Sequence, residues 1–342
     1  ATRAAGAALE LHRQAQLTAP LFDALLEARP EQADAIRLAA SCSLPFGQQF
    51  SYLFGVPAET PSQEAHHLRI HTRTDTEGCV WIGAELRTPA GTGAGWQQWP
   101  AGQPPLLPML AALPEGTLLL LELPEPGLAQ IDWEAAEVSG QPLGARLVTS
   151  RRLGVPRPPI VIARYNLVEV TAPDITDRFS RSHAALGRAR MGARPAFGDL
   201  AVVRRILEGR EPVDLLHINA FDAGDDRISL VPGGETLAPS ELTITTQASR
   251  YASRRMVYLS ICGTEDTVAW AVRLRALGFQ AIILPTDPIT PEDADAAAAH
   301  FYDAALTRGA TIAGALRAAQ QAVPGAAGRL ALYGAPGSRL RA

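Results

Sequence analysis

The sequence predicts an α/β protein built on a mainly parallel sheet with helices on both faces. Short apolar segments recur along the second two-thirds of the chain, and helical patterns separate most of them. The apolar segments show almost no alternation, as expected of strands that helices cover on both faces. Alternation of strand and helix implies right-handed crossovers between parallel strands.

The clearest strand candidate is Met256–Ile261, an apolar run that leads directly into Cys262. Beyond it, Asp266–Leu277 has helical periodicity, with Val272 on the predicted apolar face and Gly278 where a left-handed cap is expected. The pattern therefore places Cys262 in a strand-to-helix turn. Open α/β sheets bind their ligands at such turns.

The remaining elements follow from the same periodicities. Further strands are predicted at His67–Thr72, Cys79–Leu86, Thr117–Glu122, Ile160–Arg164, Asp214–Ala220, Ala281–Leu284 and Leu330–Tyr333. Further helices are predicted at Pro239–Tyr251, Pro291–Leu306 and Thr311–Val323. Thr290 and Thr311 are the expected N-caps of the last two helices, and Pro291 occupies a first helical position.

The N-terminal third has a different pattern. Residues 1–41 predict two short helices broken near Pro20 and Pro30. Residues 89–108 are rich in Gly, Pro, Trp and Gln, which predicts a loop or linker. We therefore expect an N-terminal helical and β region at residues 1–105, packed on an α/β domain at residues 106–342.

Composition limits the classes of function. The net charge of −4 disfavours nucleic acid as a partner, and the arginines of segment 178–210 are expected to form a solvated, partly ion-paired surface. No apolar stretch is long enough to span a membrane, and no signal-peptide pattern opens the chain. Three scattered cysteines predict neither a disulfide scaffold nor a zinc site. These features predict a cytoplasmic protein.

Neither a cofactor nor a metal is predicted from the sequence. A glycine-rich phosphate loop between a strand and a helix is missing, which disfavours nucleotide enzymes. His66, His67 and His71 cluster in the N-terminal region, but carboxylate or cysteine partners at metal-ligand spacing are not evident.

Several segments occur in the order found in one known family. They are Leu118–Glu122, Ile131–Ala135, Leu215–Phe221, Leu237–Leu242, Val257–Cys262, Gly278–Leu284 and Leu332–Pro336. From about Leu113 to Pro336 the chain resembles the CHAT domain, a bacterial branch of the caspase-like cysteine peptidases. This resemblance implies a caspase-like three-layer sandwich, a protein or peptide partner, association with other subunits, and a role in signalling or defence.

The resemblance also implies site residues. Cys262 occupies the position of the catalytic cysteine, whereas the position of the catalytic histidine holds Phe221, which cannot accept a proton. The family's earlier strand histidine corresponds to His217. At roughly 3.3 Å per residue, His217 is expected about 13 Å behind the strand end. The expected function is a degenerate, pseudo-peptidase scaffold or interaction module.

Two other functions remain open at this point. An active cysteine endopeptidase would use Cys262 with His217 or with a base that a partner supplies, so enzymatic activity stays undecided. A small-molecule or nucleotide-binding α/β module would use the crevice at the strand ends.

Overall fold

The computed structural model describes residues 66–74, 76, 80–89, 91–98, 108–123, 126–152, 159–163, 167–171, 177–188, 194–197, 199–211, 213–243, 256–262 and 267–341. The first strands in these ranges are β1 (His66–Thr74), β2 (Val80–Thr88), β3 (Gly91–Gln98), β4 (Leu118–Glu122), β5 (Glu137–Val138), β6 (Gln141–Pro142), β7 (Val148–Arg152), β8 (Val161–Ala163) and β9 (Leu167–Thr171). The later strands are β10 (Arg194–Phe197), β11 (Leu215–Asp222), β12 (Ile228–Ser229), β13 (Thr236–Leu237), β14 (Met256–Cys262), β15 (Ala281–Pro285), β16 (Leu330–Gly334) and β17 (Arg339–Arg341).

The helices in the same ranges are α1 (Pro126–Ala129), α2 (Leu143–Arg146), α3 (Ser180–Arg188), α4 (Leu200–Leu207), α5 (Val268–Ala276), α6 (Pro291–Tyr302) and α7 (Ile312–Ala322). Single 3₁₀ turns lie at Pro108–Ala112, Pro239–Glu241 and Pro324–Ala326, and a π-helical turn at Asp303–Thr307 extends α6. In this part of the chain, no helix has the length and apolar character needed to cross a membrane.

One large sheet organises the described residues, with strand order β10-β9-β11-β14-β15-β16-β7-β4-β1-β2-β3. The five strands from β10 to β15 are parallel to one another. β16 is antiparallel to β15, and β7, β4 and β1 then follow β16 in parallel. The sheet thus consists of two parallel halves that run in opposite directions, with a short antiparallel edge at β2 and β3.

Helices cover both faces of the half that contains β11 and β14. α3 and α6 pack together on one face, and α7 continues this layer toward β16 and β7. On the other face, Glu208 at the end of α4 accepts a hydrogen bond from the backbone N–H of Thr243, and Arg273 of α5 donates to the carbonyl of Leu242. These contacts join α4, the turn at Pro239–Glu241 and α5 into a second helical layer.

Burial explains why these segments form strands and helices. Every residue of β14 and β15 is buried, in accord with their continuous apolar sequences. α6 begins as predicted, because the hydroxyl of Thr290 accepts a hydrogen bond from the backbone N–H of Asp293 at 3.2 Å, with Pro291 as the first helical residue. Thr311 caps α7 through the backbone N–H of Gly314 in the same way.

The predicted α/β class, with a mainly parallel sheet and helices on both faces, is confirmed. Three local predictions are wrong. The helix predicted at Pro239–Tyr251 is a single 3₁₀ turn at Pro239–Glu241, and Leu242 after it is extended; residues 244–251 lie outside the described residues. Gly91–Gln98 is not a loop but strand β3, because hydrogen bonding to β2 outweighs its glycine-rich composition. Val272 is 41% exposed, since α5 turns Trp270, Ala271 and Leu274 toward the core instead.

The expected domain boundary falls at residues 99–107, outside the described residues, as do the helices predicted for residues 1–41. Strands on both sides of this boundary share the sheet, since β1 pairs with β4 from Leu119 to Glu122. The division into residues 1–105 and 106–342 stays a prediction.

Candidate functional site

Two neighbouring strand ends form the candidate site. β11 and β14 are parallel, and their register pairs Phe221 with Cys262 and His217 with Tyr258. Side chains four residues apart on a strand point to the same face. Phe221, Cys262, His217 and Tyr258 therefore all face the layer that contains α6, with the first two at the strand ends.

Cys262 is a buried thiol. Only 6% of the residue is exposed, and burial together with the negative charge of Glu292 raises its pKa to about 12, although Arg178 acts in the opposite direction. A nucleophilic cysteine attacks as the thiolate, and catalytic sites lower the thiol pKa to favour that form. Near neutral pH, Cys262 is therefore held as the unreactive thiol.

His217 lies in the interior and not at the strand end. The residue is fully buried, and desolvation lowers the pKa of its imidazole to about 3, with a weaker opposing effect from a side-chain hydrogen bond with Asn219. Its ring centroid lies 5.1 Å from that of Tyr258 and 5.4 Å from that of Tyr302. The register sets it four residues behind Cys262, about 13 Å at the usual strand rise. Its pairing with Cys262 stays a prediction.

Glu169 and Asp295 are buried polar residues near the candidate site, and the sequence assigned neither of them the contacts it makes there. Glu169 of β9 lies level with His217, and one of its carboxylate oxygens is 2.8 Å from Nδ1 of His183 on α3. Asp295 of α6 accepts hydrogen bonds from the backbone N–H groups of Arg181 and Ser182 at the start of α3. Burial raises the pKa of Glu169. These contacts connect α3, α6 and the sheet around His217, and only Glu169, a carboxylate inside an apolar strand, left a sequence signal.

A second buried charged group lies in the other half of the sheet. Arg151 of β7 and Glu134 are both at most 1% exposed, and Nε of Arg151 donates to Glu134 Oε2 at 3.0 Å. The same guanidinium also donates to the carbonyls of Ala129 and Ile131 and to the hydroxyl of Tyr333. Glu134 is therefore part of a fully bonded ion pair and contributes to the core, as Trp133 beside it does.

Asp132 borders this ion pair. Its carboxylate accepts a hydrogen bond of 2.7 Å from the hydroxyl of Thr286, at the end of β15. Burial and the nearby charge of Glu134 raise the pKa of Asp132 to about 7. This carboxyl group therefore changes charge near neutral pH.

His67 and three arginines of the arginine-rich segment have ordinary partners. Nδ1 of His67 lies 3.4 Å from Glu122, which also binds Arg152, and these two neighbours lower the pKa of Glu122 to about 2. Arg204, Arg205 and Arg210 form ion pairs with Glu241, Glu211 and Glu208. Among the described residues, no three His, Cys, Asp or Glu side chains converge as metal ligands would.

No protein-family model matches the chain, and a search of curated proteins finds no relative. Among solved structures, 65% of the chain is similar to a chain of the Saccharomyces cerevisiae separase–securin complex, with 10% identity and a TM-score of 0.44. The same share is similar to gingipain R, described as an Arg-specific cysteine proteinase, with 9% identity and a TM-score of 0.44. The chain spans 16% of the first protein and 64% of the second.

Proposed function

We propose that residues 106–342 form a caspase-like, CHAT-type domain whose peptidase site is degenerate and which acts as a scaffold or interaction module, in the bacterial signalling or defence setting that the sequence resemblance implies. The observation that carries this proposal is the register of β11 and β14, in which Phe221 lies directly beside Cys262. The phenylalanine side chain at position 221 cannot take or return a proton.

The state of the two sequence-predicted site residues supports the same proposal. Cys262 is protonated at neutral pH because burial raises its pKa to about 12. His217 is buried among aromatic rings, and its imidazole has a pKa of about 3, far below the pH at which a general base operates efficiently. A thiol whose register partner on the neighbouring strand is a phenylalanine, and a histidine four residues behind that position, favour binding over catalysis.

The proposal is tested on protein in which Cys262 is the only thiol, with Cys42 and Cys79 replaced by serine. We expect no Cys262-dependent cleavage of a broad peptide library. Alkylation of Cys262 by iodoacetamide at pH 7.5 should be at least about a hundredfold slower than that of a free peptide thiol, whose pKa is near 8.5. Cleavage that Cys262→Ala abolishes would overturn the proposal, and a partner-supplied base would produce such cleavage only when a cell extract is added.

Restoring a base tests the importance of Phe221. Phe221→His places an imidazole beside Cys262, and we expect alkylation at least about tenfold faster, with its pH midpoint shifted to lower pH because the imidazole promotes thiolate formation. Phe221→Gln is the matched control, since it opens the same space without a titrating group. Equal rates in the two variants would show that the residue at position 221 does not control the thiol.

A further inference from the structure

The interior of the sheet around His217 contains a group of polar side chains, which we call the His217 cluster: His217, Asn219, Tyr258 and Tyr302. Each is at most 1% exposed. The imidazole contacts both phenol rings, and the two phenol centroids lie 6.1 Å apart. Tyr302 comes from α6 and the others from β11 and β14, so the cluster fills the layer between helix and sheet.

The two phenol hydroxyls of this cluster have no hydrogen-bonding partner on the protein. Among the described residues, the imidazole of His217 has one protein partner at most, the side-chain amide of Asn219, so at least one of its ring nitrogens lacks a partner as well. Nδ2 of Asn219 donates to the hydroxyl of Thr171 at 2.8 Å. Buried polar atoms in folded proteins are nearly always bonded to protein or to ordered water. Three such atoms in one layer therefore indicate a partner of another kind.

The chemistry of the cluster's polar groups defines that partner. A neutral imidazole supplies one donor and one acceptor, each phenol hydroxyl supplies both, and the amide oxygen only accepts. Burial lowers the pKa of His217 and raises those of both tyrosines, so the cluster is uncharged at neutral pH. A molecule that both donates and accepts, without charge, matches this lining. An ion does not, because the cluster itself carries no charge and the neighbouring carboxylate of Glu169 already contacts His183.

We propose that the His217 cluster is a buried binding site for one or two water molecules, which bridge His217 to Tyr258, Tyr302 and Asn219 and so attach α6 to the sheet. Internal waters typically form two to four hydrogen bonds, roughly three on average, to buried polar groups of this kind. The site is separate from the strand end at Cys262, and the proposal holds whether or not the domain cleaves peptides.

Removing single hydroxyls tests the proposal. If water bridges the cluster, Tyr302→Phe deletes a bonded hydroxyl and should lower the folding equilibrium constant about fivefold to tenfold, as expected for one hydrogen bond. Tyr333→Phe is the matched control, because that hydroxyl accepts a hydrogen bond from Arg151. If the cluster is dry, Tyr302→Phe removes an unpaired group and raises the constant instead. A change in the direction opposite to that of Tyr333→Phe overturns the proposal.

Two direct measurements on the unmodified protein avoid any failure of variants to fold. A crystal structure at about 1.5 Å should show an ordered density peak within about 2.6–3.2 Å of a ring nitrogen of His217. Nuclear Overhauser transfer from water to the ring protons of Tyr258 or Tyr302 should be present in solution. A direct bond between His217 and either tyrosine hydroxyl, with neither of these signals, overturns the proposal.

Discussion

Arg151 and His217 are both fully buried in strands of one sheet, but they are accommodated in opposite ways. Arg151 has a carboxylate, two carbonyls and a hydroxyl around its guanidinium. His217 has two aromatic rings beside it and, among the described residues, at most the side chain of Asn219 as a hydrogen-bonding partner. The difference follows from charge: a buried guanidinium cannot lose its proton and must be paired, whereas an imidazole escapes the desolvation cost by staying neutral.

The largest expected effect is on the paired side of this comparison. Arg151→Met leaves the carboxylate of Glu134 buried without its partner, and we expect the free energy of unfolding to fall by about 3–5 kcal/mol. Urea denaturation followed by circular dichroism measures it. The double variant Arg151→Met/Glu134→Leu is the control, since removing both charges should restore most of the loss. A double variant as unstable as the single one would mean that packing, not pairing, is the main contribution of Arg151.

The neutral side of the comparison predicts a dependence on pH. Below pH 6.5 the unfolded chain protonates His217, whereas the folded protein does not until about pH 3. Falling pH therefore favours unfolding. The wild type should lose about 1.4 kcal/mol per pH unit relative to His217→Gln as the pH falls from 6.5 to 4.5. Parallel stability curves for the two proteins would contradict the buried, neutral state of His217.

Asp132, beside the Arg151 ion pair, should produce the opposite slope. Its folded pKa of about 7 lies above the ordinary value of 3.8, so the folded state binds the proton more tightly. The stability that this proton contributes is present at low pH and is lost as the pH rises from about 4 to 7. Relative to Asp132→Asn, the wild type should lose up to about 1 kcal/mol per pH unit in that window. Denaturation of both proteins at pH 4.5, 5.5 and 6.5 checks this.

The smallest effect compares the helices that cover the two halves. Thr290 caps α6 over the His217 cluster, and Thr311 caps α7 over the strands next to Arg151. Thr290→Ala and Thr311→Ala should each lower the free energy of unfolding by about 1 kcal/mol. Hydrogen exchange separates them: Thr290→Ala should speed exchange in α6 and Thr311→Ala in α7. Equal acceleration in both helices would indicate that the two halves open together.

Much of the fold could be read from the sequence where local pattern and burial agree. β14 and β15 are continuous apolar runs, and α6 has both its threonine cap and its first-position proline. β3 could not be read in this way, because its glycines have no intrinsic strand preference and only pairing with β2 places them in the sheet. β9 was missed as well, since it is short and contains Glu169.

The candidate site could be predicted only in part from the sequence. The resemblance located Cys262 and Phe221, and the register of β11 and β14 places these two residues side by side. The burial of the thiol depends on packing, which a sequence pattern does not specify. Tyr302 lies on α6, 85 residues after His217, and contacts its ring. The sequence around His217 gives no sign of this long-range contact.

The antiparallel pairing of β15 with β16 gives the sheet two separate rims for loops. The last residues of β9, β11, β14 and β15 lie on one rim, while those of β1, β4, β7 and β16 lie on the opposite one. Loops inserted or exchanged on one rim are therefore separated from the opposite rim by the length of the strands. Cys262 lies on only one of the two rims, so loop substitutions on the opposite rim change the protein at a distance from the thiol.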